Sequence, residues 1–164
     1  KEASGTGNMK YMMNGAITLG TMDGANVEIV ERVGFENAEI FGLRVEDVDH
    51  FKQENSYNVW QYYDTHYEIK RVVDTLTDGT FSADPQDFRI IYNELMFKND
   101  EFFVLADFNA YREAQERVER RYQDKQGWAR MCLVNIAKSG FFSSDRTIQQ
   151  YADEIWHINP IDVK

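Results

Sequence analysis

The chain has 164 residues, of which 43% are apolar and 14% aromatic, so it can bury the core of one ordinary domain and is not a disordered segment. Its 18 basic and 28 acidic side chains give a net charge of −10, which disfavours nucleic acid and anionic membranes as partners. No apolar run is long enough to span a bilayer. The single Cys excludes a disulfide framework, leaves no Cys-based zinc site and fits a reducing compartment.

The amino-terminal segment holds the densest set of residues that can bind an anion. It reads Glu2-Ala3-Ser4-Gly5-Thr6-Gly7-Asn8-Met9-Lys10. Gly5 and Gly7 allow positive φ and close backbone approach, and Ser4 or Thr6 can cap a helix that begins near Gly7. The free amides at a helix start bind phosphate. Lys10 follows Thr6 by four residues and helical side chains lean toward the N-terminus, so its amine should point back toward the bound anion.

These residue types alone leave the function open. A Gly-rich turn, a helix start and a lysine could hold pyridoxal phosphate, with the aldehyde on Lys10 and the phosphate at the helix start. The same types also describe an ordinary capped helix that carries a solvated lysine. The segment lacks the Gly-Lys-Ser/Thr of a P-loop and the third Gly of a dinucleotide-binding fingerprint.

A strand, a helix and a second strand are predicted after Gly15, which should end the first helix. Residues 16–20 and 38–42 have the pattern of short buried strands. Between them, Asp23 is expected to cap a helix that Gly34 ends. The apolar positions of this helix are Val27, Val30 and Val33. A strand–helix–strand unit at this spacing predicts parallel strands.

From Arg44 onward the pattern is helical. Asp84-Pro85 is typical of a helix start, and the expected buried face of that helix is Phe88, Ile91 and Leu95. The apolar run 102–105 is predicted to be a strand or a buried loop. Further helices are expected at about 110–123, at about 128–138, and from a cap at Ser143 or Ser144 to Trp156. Gly140 should end the second of these, and Pro160 should close the regular structure.

Two strands do not make a stable sheet with helices on both faces, so further strands are expected upstream. The chain begins Lys1-Glu2-Ala3, without Met or a signal-like segment, and we expect it to be part of a longer protein. We therefore predict a helix-rich α/β chain that forms the second half of a doubly wound α/β domain, with helices that extend beyond it. Residues 1–42 would form a βαβ segment with the candidate anion site, and 43–164 a mainly helical remainder.

The amino-terminal string continues with two further runs, Asn14-Gly15-Ala16 and Gly20-Thr21-Met22-Asp23-Gly24-Ala25-Asn26-Val27-Glu28. Together they closely resemble the α-glucan phosphorylases, which include the glycogen, starch and maltodextrin phosphorylases. The resemblance continues at 41–42, 45–48, 143–148, 151–152 and 154–156, and it is weakest between about 51 and 99. It therefore covers nearly the whole chain.

The resemblance assigns roles to residues of the amino-terminal segment. Lys10 matches the lysine that binds pyridoxal 5′-phosphate covalently, and Thr6 and Gly7 match positions that bind the phosphate of this cofactor. In that family the glucosyl hydroxyls are bound by the segment that matches Glu2, Ala3, Ser4 and Gly5. It assigns no residue to a metal.

The resemblance also implies an activity and an architecture. The implied enzyme is a cytoplasmic glycosyltransferase of glycogen metabolism, which uses inorganic phosphate to release glucose 1-phosphate from α-1,4-glucan. The cofactor phosphate serves there in proton transfer. The implied parent is a homodimer with two Rossmann-like domains facing across a cleft, the glycosyltransferase B-type architecture. By this resemblance, residues 1–164 are the C-terminal part of the Rossmann-like domain that binds pyridoxal phosphate, with the cofactor site in 1–42. Its substrate-phosphate ligands would lie upstream, so we expect this chain alone to be inactive and to bind the cofactor poorly.

Two other functions stay open on the residues alone. A non-catalytic α/β module that binds a phosphorylated ligand through residues 4–7 would need no reactive amine, and Lys10→Arg would be nearly harmless. A nucleotide-sugar glycosyltransferase domain of the same two-domain architecture would bind a nucleotide diphosphate and no pyridoxal phosphate.

The remaining candidate residues are better explained by packing, ion pairs and helix capping than by catalysis or ligand binding. We expect an aromatic run to pack in a helical core or against a partner: Tyr57, Trp60, Tyr62, Tyr63 and Tyr67. The basic cluster Arg117, Arg120, Arg121 and Arg130 should pair with acids on a solvated face. The three histidines have no metal-ligand spacing and are expected to be surface or cap residues: His50, His66 and His157. Cys132 is expected to be a small buried group, and Asp145, like Asp23, a helix cap.

Overall fold

The computed structural model describes residues 5–159 and 161, and this part of the chain is mostly helical. Its α-helices are α1 (Thr6–Met13), α2 (Ala25–Val33), α3 (Val45–Glu54), α4 (Val59–Thr65), α5 (Tyr67–Asp74), α6 (Arg89–Met96), α7 (Val104–Gln123), α8 (Lys125–Ser139) and α9 (Ser144–Tyr151). Short 3-10 turns lie at Phe35–Asn37 and Gly140–Phe142, and a π turn at Ala152–Trp156 extends α9. The strands are β1 (Leu19–Gly20) and β2 (Glu39–Ile40).

The two strands pair with each other and run parallel, as the strand–helix–strand pattern predicted. The Glu39 amide donates to the Thr18 carbonyl at 2.8 Å, and the Phe41 amide donates to the Gly20 carbonyl at 3.1 Å. Each strand is two residues long, shorter than the predicted five, because only these residues have a neighbouring strand to pair with in the described part of the chain.

Helix α2 connects the two strands and begins one residue later than an Asp23 cap would require. Gly24 occupies the N-cap with φ of 53°, a conformation that suits glycine, so the expected cap at Asp23 was wrong. The buried side of α2 is Asn26, Ile29, Val30 and Val33, at the spacing of one helical face. Val27, expected on that face, is only partly buried. Gly34 ends the helix as predicted.

The chain divides into two compact units that alternate along the sequence. The first comprises Leu19–Asp23 and Ile40–Arg120, and the second comprises 5–18, Gly24–Glu39 and 121–159 with residue 161. The core of the first unit is Tyr57, Val59, Ile69, Val73, Met96, Phe103 and Leu105. Buried apolar side chains of the second unit are Met12, Ile29, Val30, Val33 and Ala38.

Helix α7 begins within the apolar run 102–105, at Val104, so the predicted strand was wrong. The alternative of a buried loop holds for Phe103, which is buried just before the helix, and not for the exposed Phe102. The buried Asp100 carboxylate accepts hydrogen bonds from the Tyr57 hydroxyl at 2.7 Å and from the Leu105 amide at 2.8 Å. The second bond satisfies a free amide at the helix start. Burial, with Asp100 alongside, raises the pKa of Tyr57, so this hydroxyl stays protonated and keeps donating.

Asp84-Pro85 begins a turn rather than a helix, contrary to the prediction. The Asp84 carboxylate accepts from the Gln86 amide at 2.9 Å, which closes a local side-chain turn instead of a helix cap. Helix α6 begins only at Arg89. Its fully buried residue is Met96, whereas Ile91, expected on the buried face, is 46% exposed.

The carboxyl-terminal helices lie close to their predicted positions. Asp124 caps α8 by accepting from the Gly127 amide at 3.0 Å, so this helix begins three residues earlier than expected. Ser143 caps α9, which confirms that choice, and Asp145 lies in the first turn rather than at the cap. Pro160 lies outside the described residues. No helix of 5–159 is both long and apolar enough to cross a membrane.

Candidate functional site

Helix α1 begins directly after Gly5, and its start is built from backbone rather than side chains. Gly5 occupies the N-cap with φ of 71°, and the first helical hydrogen bond joins the Met9 amide to the Gly5 carbonyl at 3.1 Å. The amides of Gly7 and Asn8 come before Met9 in the chain and so lie ahead of this first helical bond, as expected at a helix start. Thr6 is the first helical residue, so its predicted role as the cap was wrong.

Thr6, Gly7 and Lys10 are all exposed and lie on α1 at the predicted spacing. A Cβ added to Gly7 would meet no atom within 4 Å, so the space beside this amide is open. Lys10 is the basic residue of the last turn, and its carbonyl accepts from the Asn14 side chain at 2.8 Å. The backbone of Lys10 is therefore fixed by the helix end, while its amine is accessible to a ligand.

The start of α1 rests against the start of α2. A Cβ on Gly5 would lie only 2.2 Å from the Ala25 Cβ, so glycine is required where the two segments meet. The Asn8 side-chain amide donates to the side-chain oxygen of Asn26 at 2.9 Å, and Asn26 is 2% exposed. Sequence reasoning missed Asn26, although a polar residue within an otherwise apolar helix face would have indicated a buried partner.

The other end of α1 packs on α8. Met12 is fully buried, and Gly15, with φ of 82°, turns the chain away from the helix. A Cβ on Gly15 would lie 3.2 Å from the Ile136 Cδ1 and 3.5 Å from the Cys132 Cβ, which shows how closely α8 approaches. Cys132 is only partly buried in this contact.

The structure thus places Gly5, Thr6, Gly7 and Lys10 within the first two turns of one helix, where a phosphate and an amine-reactive group could be held together. The other predicted substrate-binding residues, Glu2, Ala3 and Ser4, lie outside the described residues. Within 5–159 and 161, no group of three metal-ligating side chains could hold a metal ion.

The aromatic run is core in part, as expected. Tyr57 is 8% exposed and packs on Phe103 with ring centroids 4.7 Å apart. Tyr62 and Tyr63 pack against the same core. Tyr67 is 76% exposed and Trp60 39% exposed, so the helical-core alternative does not hold for these two residues.

Within the basic cluster, Arg120 makes an exposed ion pair of the expected kind, whereas Arg121 pairs with a buried acid. Arg120 lies 3.9 Å from Glu116, with both side chains mostly exposed, which makes this a weak pair. Arg121 lies 3.4 Å from the buried Glu39 and also donates to the Ala38 carbonyl at 3.2 Å. Arg121 therefore holds the segment before β2 in place.

The three histidines lie apart in the fold. His50 is exposed on α3, His66 joins α4 to α5, and His157 follows the π turn with φ of 51°. Their positions agree with the expectation of surface and cap residues.

Comparison with known proteins gives matches along nearly the whole chain. Residues 1–158 match the family model described as carbohydrate phosphorylase. Over 98% of this chain, a glycogen phosphorylase of Bacillus subtilis (strain 168) is 48% identical, and the match covers 20% of that protein. The muscle form of glycogen phosphorylase from Homo sapiens is 54% identical over 97% of the chain and 19% of its own length. The brain form from Homo sapiens is 51% identical over 99% of the chain and 19% of its length.

The chain therefore spans about one fifth of the length of these curated relatives. The family match over 158 residues and the identities near one half agree with the resemblance seen in the amino-terminal string. The chain belongs to the carbohydrate phosphorylase family.

Proposed function

We propose that this chain is part of an α-glucan phosphorylase and that α1 carries the lysine that holds the cofactor. The whole enzyme would use inorganic phosphate to release glucose 1-phosphate from α-1,4-glucan. The observation that carries the proposal is the exposed Lys10, one helical turn after Thr6 at an open helix start, in a chain about half identical to glycogen phosphorylases.

The residues of α1 fit pyridoxal 5′-phosphate. The amides of Gly7 and Asn8 lie at the positive end of the helix dipole, and the missing side chain of Gly7 leaves room for a phosphate beside them. Thr6 adds a hydroxyl, and Lys10 adds an accessible amine that can bind the aldehyde. When bound, the cofactor supplies a phosphate that can give or take a proton near neutral pH.

The chain's own residues would bind the cofactor phosphate and the terminal glucosyl unit and orient them. Gly5 fixes the start of α1 against α2, so the amides that would hold the phosphate are in place before any ligand arrives. The preceding residues Glu2, Ala3 and Ser4, with Gly5, would bind the hydroxyls of the terminal glucosyl unit. An acidic side chain such as Glu2 can accept hydrogen bonds from sugar hydroxyls.

We extend the proposal to the architecture of the whole enzyme. The parallel β1–α2–β2 unit is compatible with one part of a doubly wound, Rossmann-like sheet whose other strands come from the rest of the enzyme. In this proposal the enzyme is a cytoplasmic homodimer.

Substitution of Lys10 in the whole phosphorylase tests the proposal. Lys10→Ala and Lys10→Arg should both abolish the visible absorbance of bound cofactor, because neither side chain can bind an aldehyde covalently. Phosphorolysis of maltodextrin should fall by about a hundredfold or more, since a proton-transfer group would be lost. Lys138→Ala, which removes an exposed lysine from the last turn of α8, should change neither.

Full retention of absorbance and activity in Lys10→Arg would contradict the proposal. That result would show that neither cofactor binding nor phosphorolysis needs a reactive amine at this position.

A further inference from the structure

The side chain of Asn26 joins α2 to the first turn of α1. Its oxygen accepts from the Asn8 side-chain amide at 2.9 Å, and its 2% exposure keeps water from competing for this bond. The adjoining contact between Gly5 and Ala25 allows no extra atom, since an added Cβ would meet Ala25 at 2.2 Å. Two neighbouring residues of α2 therefore hold the same turn of α1.

Helix α1 depends on such contacts for its position. It has eight residues, and a helix this short is marginal unless other parts of the fold hold it. Its buried residue, Met12, anchors the carboxyl end of the helix. At the other end, Asn8 lies between Gly7 and Lys10, so its bond to Asn26 acts on the turn that carries the proposed phosphate ligands.

We propose that Asn26 is a positioning residue: through Asn8, it fixes the start of α1 so that the exposed Gly7 amide and the Lys10 amine face one ligand. This inference rests on the proposed function. Asn26 does not touch the cofactor in this account. It sets the position of the groups that do, and its loss would loosen the first turn of α1 while α2 and the Met12 anchor persist.

A double-mutant cycle in the whole phosphorylase tests the inference, with the dissociation constant of pyridoxal phosphate measured by absorbance. Asn26→Ala and Asn8→Ala should each weaken cofactor binding about tenfold, the size expected from losing one buried hydrogen bond. The double variant should be weakened by about the same factor, because both substitutions remove one shared bond. Binding weakened about a hundredfold in the double variant would overturn the claim that Asn26 acts through Asn8.

Val33→Ala is the matched control, since Val33 is a 4% exposed residue at the other end of α2. The two variants are compared at temperatures that give them the same free energy of unfolding. If the role of Asn26 is purely structural, Asn26→Ala and Val33→Ala should then lose cofactor affinity equally. The inference predicts wild-type affinity in Val33→Ala. Equal losses in the two variants, or wild-type binding in Asn26→Ala, would overturn it.

Hydrogen exchange in the cofactor-free enzyme separates failure of this inference from failure of the proposed function. Asn26→Ala should speed amide exchange at Met9–Met13 of α1, and Val33→Ala should not. If wild-type enzyme carries no cofactor on Lys10, the proposed function fails, and the positioning claim still stands or falls on this exchange. Unchanged exchange in Asn26→Ala would overturn it.

Discussion

Gly5 and Gly7 flank the first residue of α1, and their backbones meet different surroundings. Gly5 has φ of 71° and contacts Ala25, whereas Gly7 is helical and has open space where a Cβ would be. Both would be described from the sequence as members of one flexible, glycine-rich turn. The structure separates a glycine that the fold requires from one at which an added Cβ would meet no atom within 4 Å.

A pair of alanine substitutions tests this difference. Gly5→Ala should lower the free energy of unfolding by about 2–4 kcal/mol, because it adds left-handed strain to a steric clash with Ala25. Gly7→Ala should change it by less than about 1 kcal/mol, since the new methyl group meets no atom and alanine favours helix. Urea denaturation of both variants measures the difference. Similar losses in the two would show that Gly5 does not pack on Ala25 as described.

At the residue scale, the sequence correctly predicted positions that follow from short spacings along the chain. It missed Asn26, whose hydrogen-bond partner is distant in sequence. Thr6 and Lys10 were placed on one helix by their separation of four residues, and the structure agrees. Asn26 lies 18 residues from Asn8, so no local rule could pair them. The roles of Lys10 and Thr6 in cofactor binding stay predictions.

At the scale of elements, capping decides where several helices begin. The Ser143 hydroxyl accepts from the Arg146 amide at 3.3 Å, while Ser144 is the first residue of α9. Ser143→Ala should therefore destabilise the protein by about 1 kcal/mol, through loss of the cap. Ser144→Ala should be neutral or slightly stabilising, because alanine is the better helix former. Thermal unfolding of the two variants measures this; the reverse order would assign the cap to Ser144.

The elements that the sequence placed best have strong local signals. Gly34 and Gly140 lie at the predicted helix ends, and the β1–α2–β2 pattern gave the parallel pairing. The start of α7 at Val104 was missed because it depends on Asp100, a buried residue that accepts from Leu105 and from Tyr57, 43 positions away. The predicted helix start at Asp84 was wrong because its carboxylate can accept a hydrogen bond from a nearby amide in a turn as readily as at a helix cap.

At the scale of the whole molecule, this chain supplies little positive charge for a substrate phosphate. Lys10 is the basic residue of α1, and the chain as a whole carries a net charge of −10. Two phosphates side by side repel each other and need nearby cations. We therefore expect the guanidinium and ammonium groups that bind substrate phosphate to come from the rest of the phosphorylase.

The 164-residue chain on its own should accordingly be inactive in phosphorolysis. Assays with maltodextrin, inorganic phosphate and added pyridoxal phosphate should show no glucose 1-phosphate above the buffer control. The whole phosphorylase, assayed in parallel, should show turnover. Release of glucose 1-phosphate by the isolated chain at rates typical of enzymes, about 1 per second or faster, would show that it contains a complete active site.

The claim on which the account depends is that Lys10 holds the cofactor. The most direct measurement reduces the whole phosphorylase with borohydride, which makes a lysine–pyridoxal link permanent, and locates the modified lysine by mass spectrometry of peptides. The account predicts a pyridoxyl phosphate adduct on the peptide that contains Lys10 and on no other lysine of the chain. An adduct on a different lysine, or an active enzyme that carries no adduct, would contradict it.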